Sequence, residues 1–474
     1  MKIPNEITSL NPDSLNLDAE ARAIFLLLLN TIEQLVQSNQ QLQEQNQALK
    51  DEINHLKGEK GKPKIKPNLP RKENDVPKEK KQKKWKKRSK KQRIKIDRTE
   101  IRRADPNILP PDAEHKGYRT VIVQNIKFET DNVEFKLERY YSPSQNKVYE
   151  AELPEDIDGE FGPDLKAFVV HQYYACRVPE KKIWKALTDA GIIISDGQIS
   201  NILTKEKKEE FTQEKDDIFE AGMKSTNYFH TDDTGARHKG INHYVHVICS
   251  VLFSVFFITR KKNRDTIRMI LGLNDDEKIE KIMISDDAKQ FWEIAIYHAL
   301  CWIHEIRHYR KLNPILEYYR IKLRNFLTEL WKFYDLLNNY RELPNEKQKE
   351  FLANRFDELF STKTSYQELD ERIALTKKKK DRLLAVLEHP EIPLHNNPAE
   401  IALRELVIKK KISYGTKSED GKIAWENMMT LLDSCRKQGV SFLEYIKDIF
   451  SGRYSMPRLA DVILQKASMK ATVY

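Results

Sequence analysis

A heptad repeat between residues 18 and 57 constrains this chain more than any other sequence feature. Its d positions are all leucine: Leu28, Leu35, Leu42, Leu49 and Leu56. Its a positions are Phe25, Ile32, Asn39, Asn46 and Ile53. Leucine at d with asparagine at some a positions favours a parallel two-stranded coiled coil, because buried asparagines pair across the interface and fix its register. We therefore predict a leucine-zipper coiled coil over residues 11–57 through which the chain self-associates. The alternative is one amphipathic helix that packs on its own chain.

The segment after the heptads carries the excess positive charge of the chain. Residues 57–98 contain 20 Lys and Arg against 5 Asp and Glu, a balance of 20 − 5 = +15, whereas the whole chain has a net charge of +10. A charged, proline-containing stretch buries too little apolar surface to fold alone, so residues 58–104 are predicted to be a disordered linker. We expect this linker to contact nucleic-acid phosphates. The alternative is a solvated spacer that its own charge keeps extended.

Cysteine usage and hydropathy exclude several classes of protein. The four cysteines lie far apart and show no Cys-x-x-Cys spacing, which argues against a disulfide framework or a zinc ribbon and suits a reducing cytoplasm. No segment approaches 18 uninterrupted apolar residues, and the first residues lack the apolar stretch of a signal peptide. We therefore predict a soluble cytoplasmic protein with no membrane partner.

Two small modules are predicted between the linker and residue 215. Residues 120–124, 133–141 and 147–152 alternate like strands, which predicts a small β-rich module over residues 105–160. This module contains no cysteine, so no zinc is expected there.

Residues 161–215 have a helical pattern instead. A helix ends at Ala190-Gly191, and a second one begins at Ser195 or Asp196, as in a helix-turn-helix. Its second helix offers Gln198 and Asn201 for contacts in a DNA groove. The alternative is an ordinary helical bundle.

Two short apolar runs each end in a pair of aspartates. The first leads from Tyr228 to Asp232-Asp233 and stops at Thr234-Gly235, and the second ends at Asp286-Asp287. Residues 243–249 and 252–258 predict two further strands between them. Carboxylates at the ends of neighbouring strands can bind the divalent cations that phosphoryl transfer uses. The alternative for either pair alone is a turn or a helix N-cap.

A third acid, Glu400, opens a helical pattern after Asn396-Asn397-Pro398. Either asparagine is predicted to cap this helix, and Arg404 lies one turn beyond Glu400 on the same face. A carboxylate on this helix could complete a two-cation site with the aspartates. The alternative is that Glu400 only interacts favourably with the helix dipole.

Helical patterns cover residues 291–309 and most of residues 311–392. In the first helix, His304 and Arg307 lie three residues apart on one face and could contact a scissile phosphate. The alternative for His304 is a structural role. Zinc at Cys301 and His304 is not expected without further ligands nearby.

The order of these motifs resembles the insertion sequence 66 family of bacterial transposases. The resemblance rests on Asp232-Asp233-Thr234, Ser285-Asp286, Cys301-Trp302-Ile303-His304-Glu305-Ile306-Arg307, and Asn396-Asn397-Pro398-Ala399-Glu400 with Arg404. It extends from the heptads to about residue 448. The chain departs from the family pattern at Asp233, where the family has Glu, at Asp287, where it has Gly, and at His395, where an Asp is common.

The resemblance implies a ribonuclease H-like catalytic core in which Asp232, Asp286 and Glu400 are the catalytic triad. The family also has a leucine zipper, and it commonly has a cysteine zinc module where residues 105–160 contain no cysteine. A basic stretch of the family falls on Lys409, Lys410 and Lys411, which implies contacts with DNA phosphates.

The predicted fold class is an α/β ribonuclease H-like core, preceded by a coiled coil, a disordered basic linker, a small β-rich module and a helix-turn-helix-like region. The core lies in two parts, residues 216–310 and 393–450, separated by an all-helical insertion over residues 311–392 and followed by a tail over residues 451–474.

The predicted function is that of a DDE transposase. It would cut double-stranded DNA at insertion-element ends and transfer the strands into target DNA, in the cytoplasm at the nucleoid. Asp232, Asp286 and Glu400 would bind Mg²⁺, for which Mn²⁺ can substitute, and no zinc is expected. The alternative is a catalytically inactive, transposase-derived DNA-binding protein or repressor.

Overall fold

A computed structural model describes residues 8–56, 96–103, 105, 110, 117–126 and 129–471. Most of the predicted basic linker lies outside these residues. The chain divides into two units, one of Met1–Val36 with Glu129–Tyr474 and the other of Gln37–Phe128. In the part of the chain that the structure describes, no helix is long and apolar enough to cross a membrane.

The heptad segment forms a single helix, α1 (Ala19–Leu56). Its base packs on the same chain, because Leu29 and Glu33 are buried and the Glu33 carboxylate accepts the N–H group of Leu316 at 3.2 Å. The heptad leucines lie on another face and are exposed: Leu28, Leu35, Leu42 and Leu49. The coiled-coil prediction therefore concerns the exposed leucine face of α1, and the alternative, packing on the same chain, concerns another face of the same helix.

The region predicted as a β-rich module contains one described hairpin. Strand β1 (Arg139–Ser142) pairs antiparallel with β2 (Lys147–Glu150). The strand predicted at residues 120–124 is absent, and these residues have no regular structure. Their apolar side chains are solvent-exposed, with Val123 82 % exposed, so no described strand or core fixes an extended conformation there.

Four helices follow the hairpin: α2 (Pro163–Tyr174), α3 (Glu180–Asp189), α4 (Asp196–Thr204) and α5 (Lys208–Lys224). Ser195 caps α4, since its side chain accepts the N–H group of Gln198 at 3.1 Å. The turn before it contains Gly191, whose φ of 89° favours glycine. One face of α4 is buried through Ile199, Ile202 and Leu203.

A five-stranded mixed sheet forms the centre of the fold. Its strands are β3 (Tyr228–His238), β4 (Ile241–Cys249), β5 (Ser254–Thr259), β6 (Ile282–Ser285) and β7 (His298–Leu300), in the order β5-β4-β3-β6-β7. The first three strands pair antiparallel, whereas β6 is parallel to β3 and β7 is parallel to β6. The predicted mixed α/β class with a helical N-terminal region is confirmed.

Two local predictions about this sheet are wrong. Strand β3 does not stop at Thr234-Gly235 but runs on to His238, because β4 pairs with it from His230 to His238. The helix predicted over residues 291–309 begins only at Trp302, because the preceding apolar residues form β7 against β6. An apolar strand next to a helix can look like one long helical pattern.

Five further helices belong to this part of the chain: α6 (Arg264–Leu271), α12 (Asn397–Ser413), α13 (Glu419–Gln438), α14 (Phe442–Phe450) and α15 (Leu459–Ala471). Of these, α12 packs on β3 and β4, and α13 packs on β5. Helix α13 covers the open edge of β5. The N–H groups of Ser254 and Phe256 donate to the side-chain hydroxyls of Ser434 and Thr430, each at 3.2 Å. The N–H group of Ile258 donates to the Glu426 carboxylate at 2.7 Å. Side chains one helical turn apart thus satisfy alternate N–H groups of an edge strand, which prevents pairing with another chain there.

The segment between β7 and α12 is helical. Its helices are α7 (Trp302–Lys311), α8 (Glu317–Glu342), α9 (Glu346–Leu359), α10 (Gln367–Lys377) and the short α11 (Lys380–Leu383). They share an aromatic core around Trp302, which lies against Phe333, Phe356 and Phe360. We call the part of this segment over residues 311–392, which follows α7, the helical insertion.

Candidate active site

Asp232 lies on β3, and Asp286 directly follows the parallel neighbouring strand β6. The register pairs Tyr228 with Ile282 and His230 with Ile284, so its continuation places Asp232 beside Asp286. Strand β6 ends at Ser285, whereas β3 continues as a hairpin with β4. Beyond Ser285, β6 therefore no longer pairs with β3, and the two carboxylates lie at the point where this pairing ends.

The first aspartate of each pair makes no ion pair with any described residue. Asp232 accepts the N–H group of Asp233 at 2.8 Å, and Asp286 accepts that of Ala288 at 3.1 Å. These backbone contacts orient the carboxylates without neutralising their charge.

The second aspartate of each pair is bound to the protein instead. Asp233 accepts from Gln290 at 2.5 Å and lies 3.3 Å from the Lys262 ammonium. Asp287 lies 2.6 Å from Lys379 and 3.0 Å from Arg382 in the helical insertion. The structure thus distinguishes two aspartates with available carboxylates from two with structural partners.

Burial and mutual repulsion disfavour the ionised form of the available aspartates. Burial raises the pKa of Asp232 to about 7, and the carboxylates of Asp286 and Asp233 and, less strongly, Glu400 also raise it. Burial raises the pKa of Asp286 as well, although its bond from Ala288 opposes this. A divalent cation at this position would relieve the repulsion.

Glu400 lies in the first turn of α12 and is bound by Arg307 of α7. The Arg307 guanidinium contacts both carboxylate oxygens, at 3.3 and 3.0 Å. His304 Nδ1 lies 3.6 Å from Glu400 Oε1, and its Nε2 lies 3.3 Å from Arg307 Nη1. The predicted pair of His304 and Arg307 is therefore placed directly beside the third acid.

A buried asparagine links the elements that carry the acids. The Asn396 side chain donates to the carbonyl oxygen of Thr231 at 2.9 Å and contacts His230 Nδ1 at 2.9 Å. Its N–H group donates to the sulfur of Cys301 at 3.2 Å. Asn396 does occupy the predicted N-cap position of α12, but its side chain makes no capping bond. Its role across the sheet was not predicted, because no local pattern reports a contact with residues so distant in sequence.

The predicted DNA-contacting residues divide by exposure. Lys409 is buried, donates to the carbonyl oxygen of Tyr173 at 2.9 Å and lies over the Tyr173 ring, so its ammonium is not presented to a phosphate. Lys411 and Arg404 are exposed, and Lys410 bonds the carbonyl oxygen of Gly235. On α4, Asn201 is half-buried and Gln198 donates to Glu206 at 2.9 Å.

Comparison with known proteins gives two findings. Residues 158–424, more than half of the chain and the segment that contains all three acids, match the sequence profile described as "Transposase IS66 family". The uncharacterized protein y4jO of Sinorhizobium fredii is 38 % identical over 169 residues, which cover 36 % of this chain and 52 % of that protein. The chain thus spans about half the length of this relative.

Proposed function

Because the chain belongs to the IS66 family of transposases, we propose that it is a DDE transposase that cuts DNA at insertion-element ends and joins the freed 3′-hydroxyl to target DNA. It acts on DNA at the nucleoid, in the bacterial cytoplasm. The catalytic residues are Asp232, Asp286 and Glu400.

The observation that carries this proposal is the contrast within each aspartate pair. Asp233 and Asp287 have cationic or amide partners, whereas the carboxylates of Asp232, on β3, and of Asp286, directly after β6, accept only backbone N–H groups among the described residues. Two half-buried carboxylates with no cationic partner among the described residues are costly to a fold. Their retention beside Glu400 is explained if the three acids bind divalent cations.

Oxygen ligands of this kind suit Mg²⁺, for which Mn²⁺ can substitute. Such ions supply a nucleophile at neutral pH and neutralise the charge that develops on the leaving oxygen. The role of the protein is to hold the carboxylates in place. Strands β3 and β6 set Asp232 and Asp286 side by side. Asn396 holds the start of α12 against β3. No covalent protein nucleophile is needed.

The mixed sheet supports a ribonuclease H-like core. Three antiparallel strands followed by two strands parallel to the first, with helices packed against them, is the arrangement expected of that fold. The core is interrupted by the helical insertion, which contributes the basic partners of Asp287, whereas Arg307 lies on α7 before the insertion.

We further propose that the chain binds double-stranded DNA as a dimer. The exposed Lys411 and Arg404 lie on the helix that carries Glu400, where phosphate contacts would position DNA for cutting. Helix α4 offers Gln198 and Asn201 for groove contacts. The exposed leucine face of α1 is the dimer interface.

The test is cleavage and strand transfer on labelled DNA that carries the terminal repeats of the element, with Mg²⁺ or Mn²⁺. Asp232→Asn, Asp286→Asn and Glu400→Gln should each abolish metal-dependent products while DNA binding is retained. Asp275→Asn, in an exposed loop of the core, is the matched control and should keep activity. DNA binding without products from the wild type would favour an inactive DNA-binding protein instead.

A further inference from the structure

Cys301, His304 and Glu400 bring a sulfur, an imidazole nitrogen and a carboxylate oxygen within 4.8 Å of one another. Cys301 directly precedes α7, His304 lies in its first turn, and Glu400 lies in the first turn of α12. Sulfur and imidazole ligands select zinc and related ions over magnesium. We propose that these three residues form a binding site for Zn²⁺ or a similar soft divalent ion, with a chemistry different from that of the Asp232 and Asp286 pair.

The nitrogen and oxygen ligands already have a suitable separation. His304 Nδ1 lies 3.6 Å from Glu400 Oε1, and nitrogen and oxygen ligands of a tetrahedral zinc ion lie about 3.4 Å apart. Nδ1 is buried and has no hydrogen-bond partner among the described residues. Binding a metal there breaks no hydrogen bond of this nitrogen. The His304 and Glu400 side chains remain 27 % and 19 % exposed, so a water molecule can complete the coordination.

Backbone N–H groups hold the Cys301 sulfur in place and oppose the effect of its burial. Cys301 is buried, and its sulfur accepts the N–H group of Asn396 at 3.2 Å. Burial raises the pKa of the thiol, while the N–H groups of His304, Asn396 and Ile303 lower it. Such N–H groups stabilise a metal-bound thiolate, and coordination releases the thiol proton to solvent. Zinc was not expected at Cys301 and His304 for want of further ligands, and Glu400 is the third ligand that the fold supplies.

Arg307 competes with a metal for this site. Its guanidinium contacts both oxygens of Glu400 and also the Nε2 atom of His304 at 3.3 Å. A metal on Nδ1 leaves the ring proton on Nε2, which can then no longer accept from Arg307. The guanidinium must therefore withdraw from His304 when the metal binds, although it can stay on Oε2.

The site also has a consequence that rests on the proposed function. Because Glu400 belongs to both sets of ligands, an ion bound by Cys301 and His304 withdraws Glu400 from the acids that bind Mg²⁺. We expect Zn²⁺ to inhibit Mg²⁺-dependent cleavage in the wild type, and to inhibit Cys301→Ser less, with each activity taken relative to that of the same variant without zinc.

The site itself is tested without DNA, by titrating the metal-free full-length protein with Co²⁺. Wild type should bind Co²⁺ with a thiolate-to-cobalt charge-transfer band. This band should be lost in Cys301→Ser, and Co²⁺ affinity should fall at least tenfold in His304→Ala. Arg307→Ala, which keeps all three ligands, should bind Co²⁺ about fivefold more tightly or better. The readout does not depend on transposase activity.

Cys176→Ser is the matched control, because Cys176 is exposed and its sulfur lies 3.7 Å from His171 Nδ1, the other cysteine–histidine contact among the described residues. It should leave the band unchanged. Absence of the band from wild type, or its loss in Cys176→Ser but not in Cys301→Ser, would overturn the proposal. An Arg307→Ala variant that binds Co²⁺ no more tightly than wild type would show that Arg307 does not compete with the metal.

Discussion

The side-chain amide of Asn396 donates to the carbonyl oxygen of Thr231 over 2.9 Å. This bond joins the start of α12, which carries Glu400, to β3 one residue before Asp232. The same side chain contacts His230, and the same residue's N–H group donates to Cys301 at the start of α7. One fully buried asparagine therefore links α12 to β3 through its side chain and to the start of α7 through its backbone.

Asn396→Ala should impair the arrangement of these acids. The substitution leaves the Thr231 carbonyl oxygen and the His230 ring nitrogen without their partner, so we expect a loss of about 1–3 kcal/mol in the free energy of unfolding. A displacement of Glu400 of about 1 Å should reduce cleavage roughly a hundredfold. Denaturant unfolding and single-turnover cleavage measure the two effects. Asn397→Ala changes the exposed neighbouring residue and should affect neither. Equal effects of both substitutions would show that the buried amide has no special role.

The raised pKa of Asp232 predicts how the stability of the metal-free protein depends on pH. Its folded-state pKa of about 7 exceeds the usual value of 3.8. The folded state therefore binds the proton more tightly than the unfolded state. Stability should fall as pH rises from about 4 to about 7, where this group ionises.

Asp232→Asn should remove this part of the pH dependence and raise the free energy of unfolding at pH 8 by roughly 1–4 kcal/mol. Urea unfolding in the presence of a chelator measures it, with the exposed Asp275→Asn as control. Addition of Mg²⁺ should stabilise the wild type more than Asp232→Asn. A variant as sensitive to pH as the wild type would contradict the assignment of this repulsion to Asp232.

Strands β4, β5 and β6 lie where the sequence pattern predicted them, because each is a short apolar run with clear boundaries. The pattern missed β7 and the extension of β3, since these depend on pairing with strands distant in the chain. The difference in side-chain partners between Asp232 and Asp233 was likewise not predictable from the sequence. It depends on Gln290 and Lys262, which only the fold brings near.

Lys409 and Lys411 should differ in their contribution to DNA binding. Lys411 is exposed, so Lys411→Gln should weaken binding and reduce the slope of log affinity against log salt by about 1. Lys409 is buried against Tyr173, and burial lowers its pKa to about 7, so Lys409→Met should leave that slope unchanged. Fluorescence anisotropy across a salt series measures both. A reduced slope for Lys409→Met, with the fold intact by circular dichroism, would show that this ammonium reaches DNA.

Two exposed leucines of α1 should respond differently to substitution by a charged residue. Leu35 is 64 % exposed at a heptad d position, whereas Leu27 is 65 % exposed outside the a and d positions. If the heptads form a two-stranded coiled coil, Leu35→Glu places a charge in the interface of both partners. Loss of two buried leucines removes about 3 kcal/mol or more, which raises the dissociation constant roughly a hundredfold or more.

Leu27→Glu introduces the same charge on the same helix at equal exposure and should leave the dimer intact. Sedimentation equilibrium of wild type and both variants measures the dissociation constants. The free energy of unfolding contributed by the base of α1 should not change in either variant, because Leu29 and Glu33 keep their buried contacts. A wild type that is monomeric at all concentrations, or equal dissociation of both variants, would show that the exposed leucines do not form a parallel coiled coil.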